Sequence, residues 1–479
     1  MPARTMRERL AGSPWTVCAV ILLVLGLLWG HSRPTQFGTA DQGFYVGIAH
    51  DLLTLGRYTD GPMFAAPAAQ GPYQGQRPPG MRFAPLYPAL LAGAGLLDPG
   101  FRAAMACSAG SDFHNGACPT TAPLVRGVQF LMLAGVYLLL WRIALRLTGS
   151  VRGAWIALAL GLIPSHLLTI SAHQLMTEIP TLFCTTAATA AALAAWDSPR
   201  PGRHVLLGGL FLGLATQTRP GFLYLFYAAV AVWLVVLAVR RGRRAMLLAA
   251  FALGFALPTL PWMARNAVVL DRPALTFGYA SHTLVQRIAF DTMSWHDYPM
   301  AWLCWAPDGS GLGSLLVGRG ACDRFALEET RPSTFYAIGM GPLMTETVAA
   351  AGGWEHHLSY LLRAYIFREP FKHAMVSLPF AMRGALIDHY WGLILGLLAL
   401  WTTARAVRRR DARFLLLALP GWFMLAFQAA VAVNQIRYNL MLIPPYAVAG
   451  ALAVESGLHR PRRSPRMPKE SSGGLHHGG

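Results

Sequence analysis

Long apolar stretches separated by short polar connections dominate the chain. A helix needs roughly 20 mostly apolar residues to cross the hydrocarbon core of a bilayer. Stretches of about that length predict ten transmembrane helices, at 15–30, 124–147, 153–172, 179–196, 204–218, 220–240, 245–265, 384–404, 412–433 and 438–456. A shorter apolar run at 84–97 lies at the membrane interface or adds an eleventh helix. The pattern therefore predicts an all-α polytopic membrane protein.

The distribution of charge along the chain predicts its orientation. The protein has 479 residues, of which 54% are hydrophobic and only 13% charged, and its net charge is +18. Soluble domains have about a quarter charged residues, so the composition excludes a typical cytosolic enzyme. The excess Lys and Arg lies mainly in every second connection, and basic residues near span ends remain cytoplasmic. We therefore expect both termini in the cytoplasm of a cell-membrane protein, and no nucleic-acid partner.

Two long segments, 31–123 and 266–380, are then predicted to face the outer side. Each contains a cysteine pair, Cys107 with Cys118 and Cys304 with Cys322, in a compartment where disulfides persist. We predict that both pairs are bonded, whereas Cys18 and Cys184 lie within spans. The chain is predicted to divide into four parts. Residues 1–265 form a transmembrane module that includes the first outer loop, and residues 266–380 form an extracytoplasmic region. Residues 381–456 form the last transmembrane helices, and residues 457–479 a disordered cytoplasmic tail.

Ionisable residues at the ends of spans are the candidates for a functional site, because charge near lipid is costly. The predicted outer side has Asp41, Glu178, Arg219, Arg265 and Arg437. A guanidinium group donates paired hydrogen bonds to phosphate oxygens, so the set suits an anionic lipid headgroup beside a proton acceptor. Structural roles stay open: the arginines can reach lipid phosphates, Asp41 can cap a helix, and Glu178 can interact with a helix dipole.

The segment that begins at Asp41 has apolar residues at helical spacing. They are Phe44, Tyr45, Ile48, Ala49, Leu52 and Leu53. We expect an amphipathic helix from 41 to 56 that lies along the outer interface and holds Asp41 at membrane level.

Several short motifs occur in an order that resembles a known enzyme family. They are Asp41-Gln42-Gly43-Phe44-Tyr45, Pro85-Leu86-Tyr87-Pro88, Met176-Thr177-Glu178, Thr218-Arg219-Pro220, Pro261-Trp262-Met263-Ala264-Arg265-Asn266 and Arg437-Tyr438. Together, over nearly the whole chain, they resemble the GT-C membrane glycosyltransferases, and most closely the protein O-mannosyltransferase and lipid A aminoarabinose-transferase group, which is similar to glycosyltransferase family 39. The family often has a second acid directly after the first, where this sequence has Gln42.

The resemblance implies a GT-C-type bundle that transfers a sugar from a polyprenyl-phosphate donor to an extracytoplasmic lipid, glycan or protein hydroxyl, with inversion. It implies Asp41 as the general base and Glu178 as a supporting acid. Arg219, Arg265 and Arg437 are expected to hold the donor phosphate. One carboxylate suffices because a phosphate leaves as an anion without a general acid.

The same resemblance bears on cofactors and ligand contacts. Some relatives use a divalent metal, for which Glu178 with His173 or His282 could supply ligands, although the spacing matches no local metal motif. The outer tryptophans at 295, 302, 305 and 354 could contact donor or acceptor, or anchor the protein at the interface. The expected partners are the lipid-linked sugar, its acceptor and membrane lipids.

Three other functions stay open on the sequence. A lipid-linked sugar transporter or flippase would explain many spans, although transporters often have repeated halves. A surface-glycan ligase or polymerase would use a polyprenyl-diphosphate donor, and a non-catalytic scaffold would leave the charged residues unexplained. The glycosyltransferase hypothesis requires Asp41 and Arg265 to line one cavity open to lipid.

Overall fold

The computed structural model describes residues 13–31, 40–61, 77–110, 118–239, 244–307, 315–316, 318, 320–328 and 330–458. These residues form helices and connections without a strand. The predicted cytoplasmic tail lies almost entirely outside the described residues.

Twenty α-helices are numbered along the described chain. They are α1 (Pro14–His31), α2 (Ala40–Leu55), α3 (Leu86–Leu97), α4 (Pro99–Gly110), α5 (Pro123–Thr148), α6 (Val151–Leu162), α7 (Ser165–His173), α8 (Glu178–Asp197), α9 (Gly202–Thr216), α10 (Phe222–Val239), α11 (Arg244–Leu270), α12 (Tyr279–Ala289), α13 (Asp297–Cys304), α14 (Phe335–Met340), α15 (Pro342–Ala350), α16 (Trp354–Leu361), α17 (Pro370–Ala385), α18 (Tyr390–Arg409), α19 (Ala412–Val431) and α20 (Ile443–Leu458). Three 3₁₀ helices (Phe290–Thr292, Asp323–Phe325 and Ile436–Leu442) and a π-helical turn (Leu362–Ile366) complete the set.

Every predicted span contains helix, but fewer than ten are long enough to cross a membrane alone. The predicted span at 384–404 includes the non-helical residues 386–389, so α18 begins only at Tyr390. Within the described residues, α5, α8, α11, α18 and α19 meet the length and hydropathy that a span needs. The pair α6 and α7, bent by 59° at its break, adds a sixth. α9 has 15 residues and rises about 22 Å, less than the hydrocarbon core of roughly 30 Å. The last predicted span begins as a 3₁₀ helix, which leaves α20 with 16 residues.

The helix that begins near Asp41 is confirmed, but its predicted position along the interface is not. The side chains of Gln42, His50 and Asp51 on α2 are almost fully buried. Asp51 forms an ion pair of 2.7 Å with the buried Arg77. α2 packs against α3 and α4 through Val46 and Ala49 and belongs to the core of the first long segment, while the ion pair with Arg77 partners the buried charge of Asp51.

Both predicted disulfides are present in the structure. Cys107 is bonded to Cys118 and Cys304 to Cys322, while Cys18 and Cys184 are free cysteines in α1 and α8. The prediction that both cysteine pairs are bonded is confirmed.

α9 and α11 approach so closely that their contact leaves no room for side chains. A Cβ atom at Gly209 would lie 2.1 Å from the backbone oxygen of Phe251, and one at Gly254 would lie 2.1 Å from that of Leu206. Small residues allow helix backbones in a membrane to approach in this way.

We expect Gly254→Val to force α9 and α11 apart and to lower the thermal unfolding temperature. The cost of such overpacking is about 1–3 kcal/mol. The matched control is Gly93→Val on α3, where a Cβ meets nothing within 4 Å. Equal unfolding temperatures for the two variants, measured in detergent, would contradict this account of the helix pair.

A buried network around Arg287 joins α12 and α17 to α19. Arg287 on α12 is fully buried and donates hydrogen bonds to the Ala429 oxygen on α19 and to the Ser377 hydroxyl on α17. It also forms a 2.8 Å ion pair with Asp291, whose other oxygen lies 2.6 Å from His373 Nδ1. The network therefore joins three helices through one guanidinium.

This network predicts a loss of stability in acid. Burial alone would raise the pKa of Asp291, but the charge of Arg287 and hydrogen bonds from Arg287 and His373 lower it below its ordinary value. A carboxyl whose pKa is lower in the folded protein contributes stability above its unfolded pKa of about 4 and loses it as the pH falls further. We expect the unfolding temperature to fall more steeply below about pH 4 in the wild type than in Asp291→Asn. Parallel pH profiles would contradict this.

Candidate functional site

Four of the predicted site residues meet at one end of the helix bundle. Asp41, near the start of α2, forms an ion pair with Arg437 of the 3₁₀ helix. Glu178, the first residue of α8, accepts a 2.8 Å hydrogen bond from Arg219, which lies between α9 and α10. The Nε atom of Arg437 also lies 3.9 Å from Glu178. We call Asp41, Glu178, Arg219 and Arg437 the acid–arginine cluster; its formal charges balance.

The acid–arginine cluster extends from the protein interior to an accessible surface. The side chain of Glu178 is 2% exposed, whereas those of Arg437 and Asp41 are 25% and 28% exposed. Arg437 is held by hydrogen bonds to Asp41 and to the Gln435 side chain, the latter 2.8 Å. One oxygen of Asp41 thus contacts Arg437, and among the described residues the other, Oδ1, has no hydrogen-bond partner. That oxygen is available to a ligand.

Tyr45, Tyr279 and Tyr438 lie near the acid–arginine cluster. The pKa of Tyr45 and that of Tyr279 are both raised, mainly by burial and then by the negative charge of Asp41. The guanidinium of Arg219 lies 4.8 Å from the centre of the Tyr438 ring. Their hydroxyl groups stay protonated and can donate hydrogen bonds. The sequence reasoning missed this role, although Tyr45 lies one helical turn after Asp41, where side chains are neighbours.

Arg265 lies in a different group. At the end of α11, its guanidinium donates hydrogen bonds to the backbone oxygens of Gly80 at 2.7 Å and Tyr58 at 3.1 Å. It also packs on the ring of Trp262, 4.8 Å from the ring centre. Arg265 therefore joins two stretches of the first outer segment to α11.

Two further charged residues lie beside Arg265, and the sequence reasoning missed both. The Arg82 backbone N–H donates a 2.7 Å hydrogen bond to Asp60, and the Arg82 guanidinium lies 3.9 Å from the same carboxylate. The pKa of Asp60 is raised by burial, although the charges of Arg82 and Arg265 oppose this. We call Asp60, Arg82 and Arg265 the Asp60 cluster. Its two guanidiniums and one carboxylate leave one positive charge in excess.

An aromatic layer, formed by Tyr58, Phe83, Trp262 and Tyr279, borders both clusters. Tyr279, on which the charge of Asp41 acts, packs 4.8 Å from Phe83, and Tyr58 packs 4.7 Å from Trp262. Phe83 and Tyr58 belong to the same buried group as Ile48. Asp41 borders this layer at Tyr279, and Arg265 borders it at Trp262. Arg265 is thus grouped with Asp60 and Arg82, and within the described residues no hydrogen bond or ion pair joins it to the acid–arginine cluster. The requirement that Asp41 and Arg265 line one cavity stays a prediction.

The histidines proposed as metal ligands have other surroundings. The ring of His173, at the end of α7, stacks on Trp29 with 3.8 Å between ring centres. His282 on α12 stacks on Tyr279, and burial, followed by the charges of Arg82 and His357, lowers its pKa to about 4. His282 is therefore uncharged at neutral pH.

The described acids form no preassembled metal site, and a divalent metal here stays a prediction. In the described part of the chain, no three residues among His, Cys, Asp and Glu form a group that could hold a metal. Asp41 and Glu178 each have a guanidinium partner, while the buried Oε2 of Glu178 has no hydrogen-bond partner among the described residues. Sugar transfer with Asp41 as the base requires no metal.

The outer tryptophans differ in their surroundings. Trp305 belongs to a buried aromatic group and donates a 3.2 Å hydrogen bond to the Phe325 oxygen, so its role is structural. Trp302 lies at the edge of the Tyr298 ring, and Trp295 is 63% exposed. Trp354 lies 6.0 Å from the Arg82 guanidinium and is the one of the four beside a candidate cluster.

Comparison with known proteins gives matches only among solved structures. No protein-family model matches the sequence, and no curated protein is similar to it. The archaeal oligosaccharyltransferase AglB from Archaeoglobus fulgidus, in complex with an inhibitory peptide and a dolichol-phosphate, matches 92% of this chain at 16% identity and a TM-score of 0.46. The chain spans half of that protein's length, 50%.

Two further solved structures are also similar to this chain. ArnT from Cupriavidus metallidurans, bound to undecaprenyl phosphate, matches 93% of this chain and 79% of its own at 14% identity and a TM-score of 0.39. A third match, at 16% identity and a TM-score of 0.43, is the Archaeoglobus fulgidus oligosaccharyltransferase in complex with Zn and sulfate, over 92% of this chain and 49% of that one. These likenesses concern the overall fold alone.

Proposed function

We propose that the protein is a membrane glycosyltransferase that moves a sugar from a polyprenyl-phosphate donor to a hydroxyl group, with inversion at the anomeric carbon. The observation that carries the proposal is the oxygen of Asp41 that remains available to a ligand while Arg437 holds the other. It lies beside an aromatic layer that also borders a cluster with excess positive charge. The sugar class and the acceptor class follow the sequence resemblance: a hexose or pentose, and a lipid, glycan or protein.

Asp41 is the general base in this proposal. Its Oδ1 accepts the proton of the acceptor hydroxyl, and the hydroxyl oxygen attacks the anomeric carbon of the sugar from the face opposite the phosphate. The bond to the phosphate breaks, and its electron pair leaves with the lipid phosphate. Arg437 holds the carboxylate in place, and a positioned base of this kind contributes typically 10²–10⁴-fold to the rate, roughly.

The Asp60 cluster is the proposed phosphate site. Arg219 and Arg437 already pair with Glu178 and Asp41, so a phosphate placed on them would compete with carboxylates. Arg82 pairs with Asp60, and Arg265 adds a second positive charge near the same carboxylate, so the excess can balance the charge that develops on the leaving phosphate. This assignment retains the predicted role of Arg265, adds Arg82, and gives Arg219 and Arg437 the role of orienting the acids.

We place the site on the outer side of the membrane. The distribution of Lys and Arg predicts that side for both long segments. Each segment contains a disulfide, which persists in an oxidising compartment, and the residues of both clusters lie within these segments or at the span ends beside them. A nucleotide-sugar donor would be confined to the cytoplasm, so a lipid-linked donor fits this location.

Arg82→Gln and Arg265→Gln are expected to raise the KM for a labelled polyprenyl-phosphate sugar at least tenfold, about 1.4 kcal/mol for each lost charge. The assay is initial transfer by purified protein in liposomes. The matched control is Arg272→Gln. Arg272 lies two residues after α11, is 40% exposed and pairs with Glu355. An unchanged KM in both variants would remove the phosphate from the Asp60 cluster.

A further inference from the structure

A cavity of about 390 Å³ lies between α1 and α5, outside both clusters. Its walls are formed by Gly26, Trp29, Pro123, Arg126, Gly127, Phe130 and His173. Leu23 and Leu27 on α1 and Leu131 on α5 are 64%, 59% and 65% exposed beside it. Exposed leucines of this kind suit contact with lipid, so this side of the cavity is expected to face the surrounding membrane.

Arg126 is a buried cation in the wall of this cavity. Arg126 is only 6% exposed, and its Nε donates a 3.1 Å hydrogen bond to the backbone oxygen of His173. Its Nη2 is buried without a hydrogen-bond partner, and no Asp or Glu among the described residues pairs with it. A buried charge without a counter-ion is costly, which indicates that an anion completes the site.

The backbone around Arg126 also favours an anion. Arg126 lies in the first turn of α5, where the first N–H groups of a helix lack intrahelical acceptors. The positive end of a 26-residue helix dipole points to the same place. The buried guanidinium, the helix start and the apolar walls of the cavity together suit an amphiphile with an anionic head.

We propose that this cavity binds an anionic glycerophospholipid of the surrounding leaflet. Its phosphate interacts with Arg126 and the start of α5, and the first part of an acyl chain fills the apolar space between α1 and α5. Bulk phospholipid fits better than the donor lipid because the cavity opens to the lipid-facing leucines, whereas Arg82 and Arg265 lie in a separate cluster. The choice of a bulk phospholipid over the donor lipid rests on the phosphate site proposed above, whereas the anion site at Arg126 does not.

The bound lipid would stabilise the segment that leads to Glu178. The Gln129 side chain, one helical turn after Arg126, donates hydrogen bonds to the backbone oxygens of Ala172 and Gln174 at 2.8 and 2.9 Å. The next residue, Leu175, donates its N–H to the Gln42 side chain at 2.9 Å. Occupation of the cavity is thus linked to the connection between α7 and α8 through direct contacts.

The test is a titration of the purified full-length protein with phosphatidylglycerol, followed by native mass spectrometry. We expect Arg126→Gln to weaken the tightest binding event at least tenfold. Gly127→Leu fills the cavity and should have the same effect, because a Cβ at Gly127 meets nothing within 4 Å and the variant can fold. The matched controls are Arg142→Gln, an exposed arginine on the same helix, and Gly93→Leu, both expected to bind as the wild type does.

Several outcomes would overturn the proposal. One is wild-type phosphatidylglycerol binding in both Arg126→Gln and Gly127→Leu. Another is equal weakening by Arg126→Gln and Arg142→Gln, which would indicate only general attraction to charge. Displacement of phosphatidylglycerol by inorganic phosphate would assign the site to a free anion. Displacement by an equal amount of undecaprenyl phosphate, lost in Arg126→Gln, would assign it to the polyprenyl lipid.

Discussion

Asp41→Asn is expected to lower the rate of sugar transfer at least a hundredfold, the lower end of about 10²–10⁴ for a lost general base, in a protein that still folds. Asparagine keeps the shape of the side chain and can still accept a hydrogen bond from Arg437, but it cannot take the proton of the acceptor. The measurement is initial transfer from a labelled polyprenyl-phosphate sugar in liposomes that contain the acceptor. The KM for the donor should change little, since the donor phosphate is assigned to Arg82 and Arg265.

The control for Asp41→Asn is the same change at the opposite end of the bundle. Asp197 ends α8, the helix that Glu178 begins, and pairs with Arg413 in an exposed ion pair. Asp197→Asn should transfer sugar at the wild-type rate. Full transfer by folded Asp41→Asn would exclude this aspartate as the base. Movement of the lipid-linked sugar across the bilayer by the wild type, without transfer, would instead favour the transporter.

Arg287→Met is expected to have the largest effect on folding. The guanidinium has no exposure and connects α12 to α17 and α19 by hydrogen bonds of 2.8 to 3.1 Å. Methionine fills the volume but leaves Asp291 without its guanidinium partner in the interior. Removing one member of a buried ion pair costs about 3–5 kcal/mol. We expect a marked fall in unfolding temperature and in the yield of monodisperse protein.

Arg324→Met is the matched control for this effect. Arg324 also pairs with an aspartate of the outer region, Asp297 at 3.1 Å, but its side chain is 52% exposed. An exposed pair contributes at most about 1 kcal/mol. Unfolding temperatures that fall equally in Arg287→Met and Arg324→Met would show that burial of the network does not contribute to the stability of the outer region.

The sequence predicted the helices of this protein well because their signal is local. Apolar stretches marked the ten helical regions, and the spacing of Phe44, Ile48 and Leu52 predicted α2 within a residue or so. It did not determine how many helices cross a membrane alone. α9 has only 15 residues, and Arg437 lies in a 3₁₀ helix rather than in a span.

The sequence also identified the charged residues that deserved explanation, but not their partners. Asp41, Glu178, Arg219 and Arg437 were singled out because charge near lipid is costly, and the structure brings these four together. Arg265 looked equivalent to the other arginines in sequence, yet it binds backbone oxygens and joins Asp60 and Arg82. Arg82 could have been found as a basic residue in an outer segment. Asp60 had no comparable signal.

What the sequence by itself determined is therefore the class of the molecule: membrane helices, their approximate limits, two disulfides and a set of polar residues at one end. Hydrophobicity, helical spacing and charge are properties of neighbouring residues and can be read along the chain. Only the tertiary structure decided which charges pair and which remain in excess. The ion pair of Asp41 with Arg437 joins residues 396 positions apart, and such contacts depend on how the helices pack rather than on any local pattern.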